Sequence, residues 1–145
     1  MYNKKKKLNT ILHDSLASYD KTQELETILF NNPNLINKKN NKGRTPLHHM
    51  IWSNNLNVKK LKIWEKFAPI IYDEEDNDGN TLQTWIINNN NDDDTILLFI
   101  KKLIDFQTNE NKFNINKKNI RGETLLEQAK KFDLKKCTKY LSKYN

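Results

Sequence analysis

One turn recurs along this chain and constrains its fold more than any other feature. It is clearest at Asn40-Asn41-Lys42-Gly43-Arg44-Thr45-Pro46-Leu47-His48. Gly43 admits positive φ at no steric cost. The Thr45 hydroxyl suits the first unpaired donors of a helix. Pro46 falls at the first helical position, where its missing N–H matters least. Leu47, Met50 and Ile51 then make one apolar face at helical spacing. The turn returns at Asp76-Asn77-Asp78-Gly79-Asn80-Thr81-Leu82 and at Asn119-Ile120-Arg121-Gly122-Glu123-Thr124-Leu125. The five residues Ile36 to Asn40 also reappear letter for letter as Ile115 to Asn119. A turn repeated roughly every 35–45 residues marks units that cannot bury their apolar faces alone and must stack.

Gly43 to His48 reads Gly-x-Thr-Pro-Leu-His, with Asn40 at the usual Asp position and Ile36-Asn37 at the usual Val-Asn. This stretch resembles an ankyrin repeat. The Gly122 turn departs from the pattern with Leu125 for Pro and Glu127 for His. The Gly79 turn departs further, with Leu82-Gln83-Thr84 for Pro-Leu-His. The resemblance covers nearly the whole chain. It implies an all-α solenoid of about four helix-turn-helix repeats with short hairpin-like fingers, near residues 8–36, 37–72, 73–115 and 116–145. Residues 8–145 then form a single domain behind a basic tail at residues 1–7.

A chain of 145 residues is long enough to bury a core. No apolar run approaches the roughly 18–20 residues that span a bilayer. The stretch after Lys4 to Lys7 is too polar for a signal peptide. The lone Cys137 precludes an internal disulfide. Together these point to a cytoplasmic protein. The net charge of +7 comes almost wholly from lysine, since Arg44 and Arg121 are the two arginines. Codon bias toward Lys, Asn and Ile accounts for much of this. The scarcity of arginine disfavours a sequence-specific nucleic-acid reader.

In order, residues 8–16 suggest a first helix. Asp20 suits the cap of a second, with Leu25, Ile28 and Leu29 inside. Residues 45–53 and the stretch carrying Val58, Leu61 and Trp64 form the next pair, closed by Pro69. Residues 81–89 are expected as the third inner helix. The helix at residues 96–106 is the most apolar and is expected to be the most buried. Residues 124–131 and 134–143 make the last pair, with Leu134, Cys137 and Leu141 inside and lysines outside.

Chemistry is sparse. Glu74-x-Asp76-x-Asp78-Gly79 imitates the start of a calcium loop, but its twelfth position is Trp85 rather than a bidentate glutamate. No metal, cofactor or catalytic residue is expected. His48 and His49 are neighbours on a helix and point apart. The resemblance makes His48 a structural tie between turns and leaves His49 without a role. Cys137 reads as core. Trp64 and Trp85 read as packed, while Trp52 suits either a groove anchor or packing between repeats.

The family's contact positions fall on finger tips and inner-helix faces. In the second repeat these are Asn41, Lys42, Arg44, Trp52 and Ser53. In the third they are Asn77, Asp78, Asn80, Asn88 and Asn89. In the fourth they are Ile120, Arg121, Glu123 and Lys131. The fingers alternate basic, acidic, basic, which serves either mutual attraction or a charge-patterned recognition edge. The resemblance implies non-catalytic protein binding by a chain that is monomeric when free. Small Asn- and Lys-rich ankyrin proteins resemble those of intracellular bacteria, large DNA viruses and AT-rich protists, and in the first two settings a host-directed adaptor or inhibitor is the expectation. Electrostatic nucleic-acid binding by lysine surfaces, or a structural place in an assembly, are the alternatives.

Overall fold

The computed structural model describes residues 9–18, 22–53, 55–87 and 91–144. The basic tail, the Asp20 cap and the candidate residues Asn88 and Asn89 lie outside them. The described residues form seven α-helices and no strand: α1 (Ile11–Ala17), α2 (Thr22–Asn31), α3 (Pro46–Trp52), α4 (Val58–Phe67), α5 (Asp93–Asp105), α6 (Leu125–Lys131) and α7 (Lys135–Leu141). No helix among them is long and apolar enough to cross a membrane. The helices pack in two rows. In one row α1 lies on α3, and α3 on a 3-10 segment at Leu82–Trp85. In the other, α2 lies on α4, α4 on α5, and α5 on α7. The rows face each other through α1 against α2 and α6 against α7.

Local sequence explains where the helices begin. Thr10, Thr45 and Thr124 each cap a helix by accepting the N–H three residues on. Asn57 and Asp92 do the same for α4 and α5. Pro46 follows its cap with a preset φ. The apolar faces then meet between the rows. Leu12, Leu16, Leu25, Leu29, Met50 and Leu61 share one continuous core with Trp64, Phe99, Leu125 and Leu141. Each large apolar side chain so buried contributes about 1.5–3 kcal/mol. Cys137 is in that core, and burial, with Asp93 beside it, pushes its thiol pKa up.

Two expectations need correction. Where the third inner helix is expected, at residues 81–89, the described residues 81–87 form a single 3-10 turn, Leu82–Trp85. Thr84, Ile86 and Ile87 are β-branched and stiff at χ1, which disfavours continuing the turn as an α-helix. The most buried helix is α3 rather than α5. Every residue from Pro46 to Ile51 is buried, whereas α5 buries Ile96, Phe99, Ile100 and Leu103 and leaves Leu98 half exposed. Position in the stack decides this. The α3 helix has α1 on one side and the 3-10 turn on the other, while α5 keeps a solvent face despite its apolar composition.

Candidate functional site

The three turns are congruent. Asn40 N–H donates to the Arg44 carbonyl, and its Oδ1 accepts from Lys42 and Arg44 N–H at 2.9 and 3.0 Å. Asp76 with Asp78 and Asn80, and Asn119 with Arg121 and Glu123, repeat the same bonds. Gly43, Gly79 and Gly122 sit at φ 73, 79 and 78°. Each turn can therefore present the residues on either side of its glycine in the same way.

Side chains from the inner row tie one turn to the next. The His48 ring receives the Thr45 hydroxyl and N–H on Nδ1, at 2.7 and 3.3 Å. Its proton therefore sits on Nε2, which donates to the Glu74 carbonyl at 2.8 Å. His13 does the same one unit earlier, between Thr10 and the Arg44 carbonyl at 2.8 Å. At the third junction Thr84 occupies the position of His48, and its hydroxyl oxygen accepts from Thr81 N–H at 3.2 Å. Gln83 takes over the crossing, donating to the Lys117 carbonyl at 3.0 Å. Burial draws the pKa of both histidines below the ordinary value, more strongly than the hydrogen-bonded carbonyls raise it. Both rings are neutral at pH 7. The first rung, Thr10-Ile11-Leu12-His13, repeats Thr45-Pro46-Leu47-His48 without a glycine before it. That spacing is the sequence mark of the first rung, and it lacks the glycine that marks the other turns.

The alternating charge of the turns is spent largely between the turns themselves. Lys39 pairs with Glu74 at 2.6 Å, Arg44 with Asp76 at 3.6 Å and Lys117 with Glu75 at 3.5 Å. Asn77 adds its N–H to the Lys42 carbonyl and its Nδ2 to the Asn41 carbonyl. The two exposed pairs, Lys39–Glu74 and Lys117–Glu75, contribute about 0–1 kcal/mol each.

Around Arg44 the arrangement is denser. Its guanidinium lies 4.3 Å from the Trp52 ring and 5.1 Å from the Trp85 ring. Its Nε faces the buried Asp76 Oδ2 beyond hydrogen-bond distance, so the two pair as ions without a formed bond. Trp52 stacks on His49, with centroids 5.7 Å apart and planes 23° apart. Yet 47% of Trp52 is exposed. A pocket of about 330 Å³ opens here, between the turn at residues 40–44, Asn9, His49 and Trp52. A narrower cavity of about 210 Å³ lies between Thr45, Trp64 and Glu74. On its wall Thr45 is engaged with His48 and Glu74 with Lys39, while the Trp64 indole N–H is buried without a partner. The pocket beside Trp52 is the larger of the two and holds a half-exposed aromatic ring, which makes it the better candidate for a partner protein.

Asn41, Lys42, Arg44 and Trp52 thus line one pocket. Ser53 is half-buried at the C-terminal end of α3. Asn77 is committed to the preceding turn, and Asp78 is exposed. Asn80, expected on the contact surface, is instead 6% exposed, with its N–H on Asp76 Oδ1 at 2.8 Å and its side-chain Oδ1 buried. In the last unit Glu123 pairs with Arg121 and Lys131 at 3.9 and 3.3 Å, beside the exposed Ile120. This second group lies on another turn and is not part of the Trp52 pocket. His49, Asn9 and Asn40 line that pocket and are not among the expected contact residues. Among the described residues no three His, Cys, Asp or Glu side chains are grouped to hold a metal ion. No protein-family model matches the chain, and no curated protein matches it significantly.

Proposed function

We propose that this chain is an ankyrin-type repeat stack that binds another protein, without catalysis, through the face carrying Arg44 and Trp52. One observation carries the reading. A tryptophan is left half exposed at the mouth of a pocket while its ring is fixed by a guanidinium and an imidazole. An aromatic anchor that is already ordered loses little side-chain entropy on binding, which is the usual physics of an interface hot spot. The congruent turns and the rungs that join them support the repeat architecture, because a stack of such units offers an extended face rather than a single cleft.

The test is capture of partners from cell lysate, with and without nuclease, by the wild-type chain and by Trp52→Ala. A protein retained after nuclease and lost from Trp52→Ala is the expected result. Retention by both proteins alike sinks the role given to this face. Recovery that nuclease abolishes for both replaces it with electrostatic binding of nucleic acid by the lysine surfaces.

A further inference from the structure

We infer that the pocket beside Trp52 receives a carboxylate from an acidic segment of the partner protein, held by the outer fork of Arg44 and the ammonium of Lys42. This deepens the protein-binding reading and rests on it. The hydrogen bonds fix which atoms around the pocket still need a partner. Asn40 Oδ1 is taken by two N–H groups of its own turn, so its Nδ2 is the atom that meets Asn9 Oδ1 at 2.8 Å. Asn9 must then face His49 with its Nδ2, at 3.4 Å from Nε2. An amide nitrogen only donates, so His49 accepts there and carries its proton on Nδ1. That Nδ1 is buried and has no partner. His49 itself is 9% exposed.

Arg44 is oriented in the same way. Two indole rings and Asp76 hold the guanidinium, and its side chain is 12% exposed. None of the hydrogen bonds of the described residues uses its two terminal amino groups. Lys42 has no acidic partner among the described residues. The wall of the pocket is therefore rich in donors and short of acceptors. Asp76 offsets part of the Arg44 charge from the Nε side, and Asp14 acts on His49 from α1. Lys42 supplies the surplus cation, because burial and the neighbouring His13 and Arg44 keep His49 neutral. A carboxylate brings two planar acceptors that match a guanidinium fork. Nucleic acid fits less well. The Trp52 ring is already occupied by Arg44 and His49, which leaves less of it open to stack a base.

The experiment is an NMR titration of the isotope-labelled chain with three probes: blocked hexaglutamate, blocked hexaglutamine and hexathymidylate. Hexaglutamate is expected to move the Trp52 indole N–H and the Lys42 amide, and hexaglutamine to leave them in place. Lys42→Gln, at an exposed site that does not threaten folding, is expected to weaken hexaglutamate about threefold. Arg44→Lys keeps the charge, loses the fork and is expected to weaken it about tenfold. Equal shifts with hexaglutamine overturn the inference. So do undiminished affinity in both variants, shifts confined to the lysines of α6 and α7, or tighter binding of hexathymidylate at the same signals. If hexaglutamate fails while lysate capture still depends on Trp52, the acidic chemistry falls and the binding face stands. If capture fails while hexaglutamate binds, the reverse holds.

Discussion

The end of α1 and the start of α7 are both completed by a side chain from another helix, and they differ in where that side chain lies. At the C-terminal end of α1, Lys60 of α4 donates to the carbonyls of Ser15 and Ser18, the first at 2.6 Å, and is fully buried. Asn55 adds bonds to Leu16 and Ser18 at 2.9 Å each. At the N-terminal end of α7, where Leu134 provides no side-chain cap, Asp93 of α5 accepts from Lys136 and Cys137 N–H at 2.7 and 3.0 Å. Each charge sits at the pole that the helix dipole favours. In the first junction the cap is sealed inside the stack, and in the second it is near solvent. Water can replace a lost partner in the second case and not in the first, so equal geometry implies unequal energetic weight.

Lys60→Ala should therefore have the largest effect, a loss of about 3 kcal/mol from an orphaned carbonyl and the space left behind. Lys60→Met separates these terms by keeping the volume and removing the charge. If Lys60→Met were as stable as wild type in urea denaturation, the buried ammonium would be dispensable and the contrast between the junctions would collapse. Hydrophobic replacement of a buried charge is neutral in some proteins, so Lys60→Met is the sharper of the two variants.

The turns give a second contrast of the same kind. A Cβ at Gly43 would strike the Asn77 side chain and come within 2.8 Å of its backbone nitrogen. At Gly79 and Gly122 nothing lies within 4 Å. All three need left-handed φ, which costs a side-chain-bearing residue about 1–2 kcal/mol. Gly43→Ala should lose about 2–3 kcal/mol, and Gly122→Ala about 1 kcal/mol. Equal losses in thermal unfolding would mean that the close approach of Asn77 relaxes freely.

What the sequence made legible follows the same division. Spacing exposed the Gly-x-Thr turns and most of the helix spans, because those depend on residues near one another in the chain. Lys60 stands beside Lys59 and Lys62 and reads as one more solvated lysine. Only the return of α1 to its side, some forty residues away in sequence, reveals the carbonyls it serves. Asp93 reads as a dipole-favoured residue at the start of α5, which it is, and its second duty to α7 has no local mark. The pocket was half legible. Arg44 and Trp52 followed from the resemblance, but the His49 ring that steadies Trp52 sits beside a histidine with a clearer task. Gln83 replaces a histidine rung from one residue earlier, a shift that spacing alone does not disclose.

Asp93→Ala tests the exposed cap. Capping and dipole effects together give an expected loss of about 1 kcal/mol. Asp93→Asn, which keeps one acceptor and removes the charge, should lose less. A loss from Asp93→Ala that matched Lys60→Ala would show that burial is not what separates the two junctions. Hydrogen exchange at the Lys136 and Cys137 amides reads the cap directly, and both should lose protection in Asp93→Ala.

The smallest effects are those of pH, and they sort the two halves of the chain along the pH axis. All three histidines lie at or before residue 49. Burial lowers the pKa of each, with hydrogen-bonded carbonyls opposing at His13 and His48. The unfolded rings, near 6.5, take up protons first, so the unfolded state binds more of them as pH falls. Their contribution is complete above about pH 6.5 and declines from there toward the lower folded values. At Asp93, desolvation raises the pKa, but the hydrogen bonds from Cys137 and Lys136 outweigh it and the net shift is downward. That contribution is intact above the ordinary carboxylate value and is lost only as pH falls through the lower folded one. Urea midpoints should therefore drop between pH 7 and 5, by an amount that His48→Gln reduces and Asp93→Asn leaves alone. A decline over that interval left undiminished by His48→Gln and His13→Gln together would mean that the rungs are not its source, since His49 alone would then account for it.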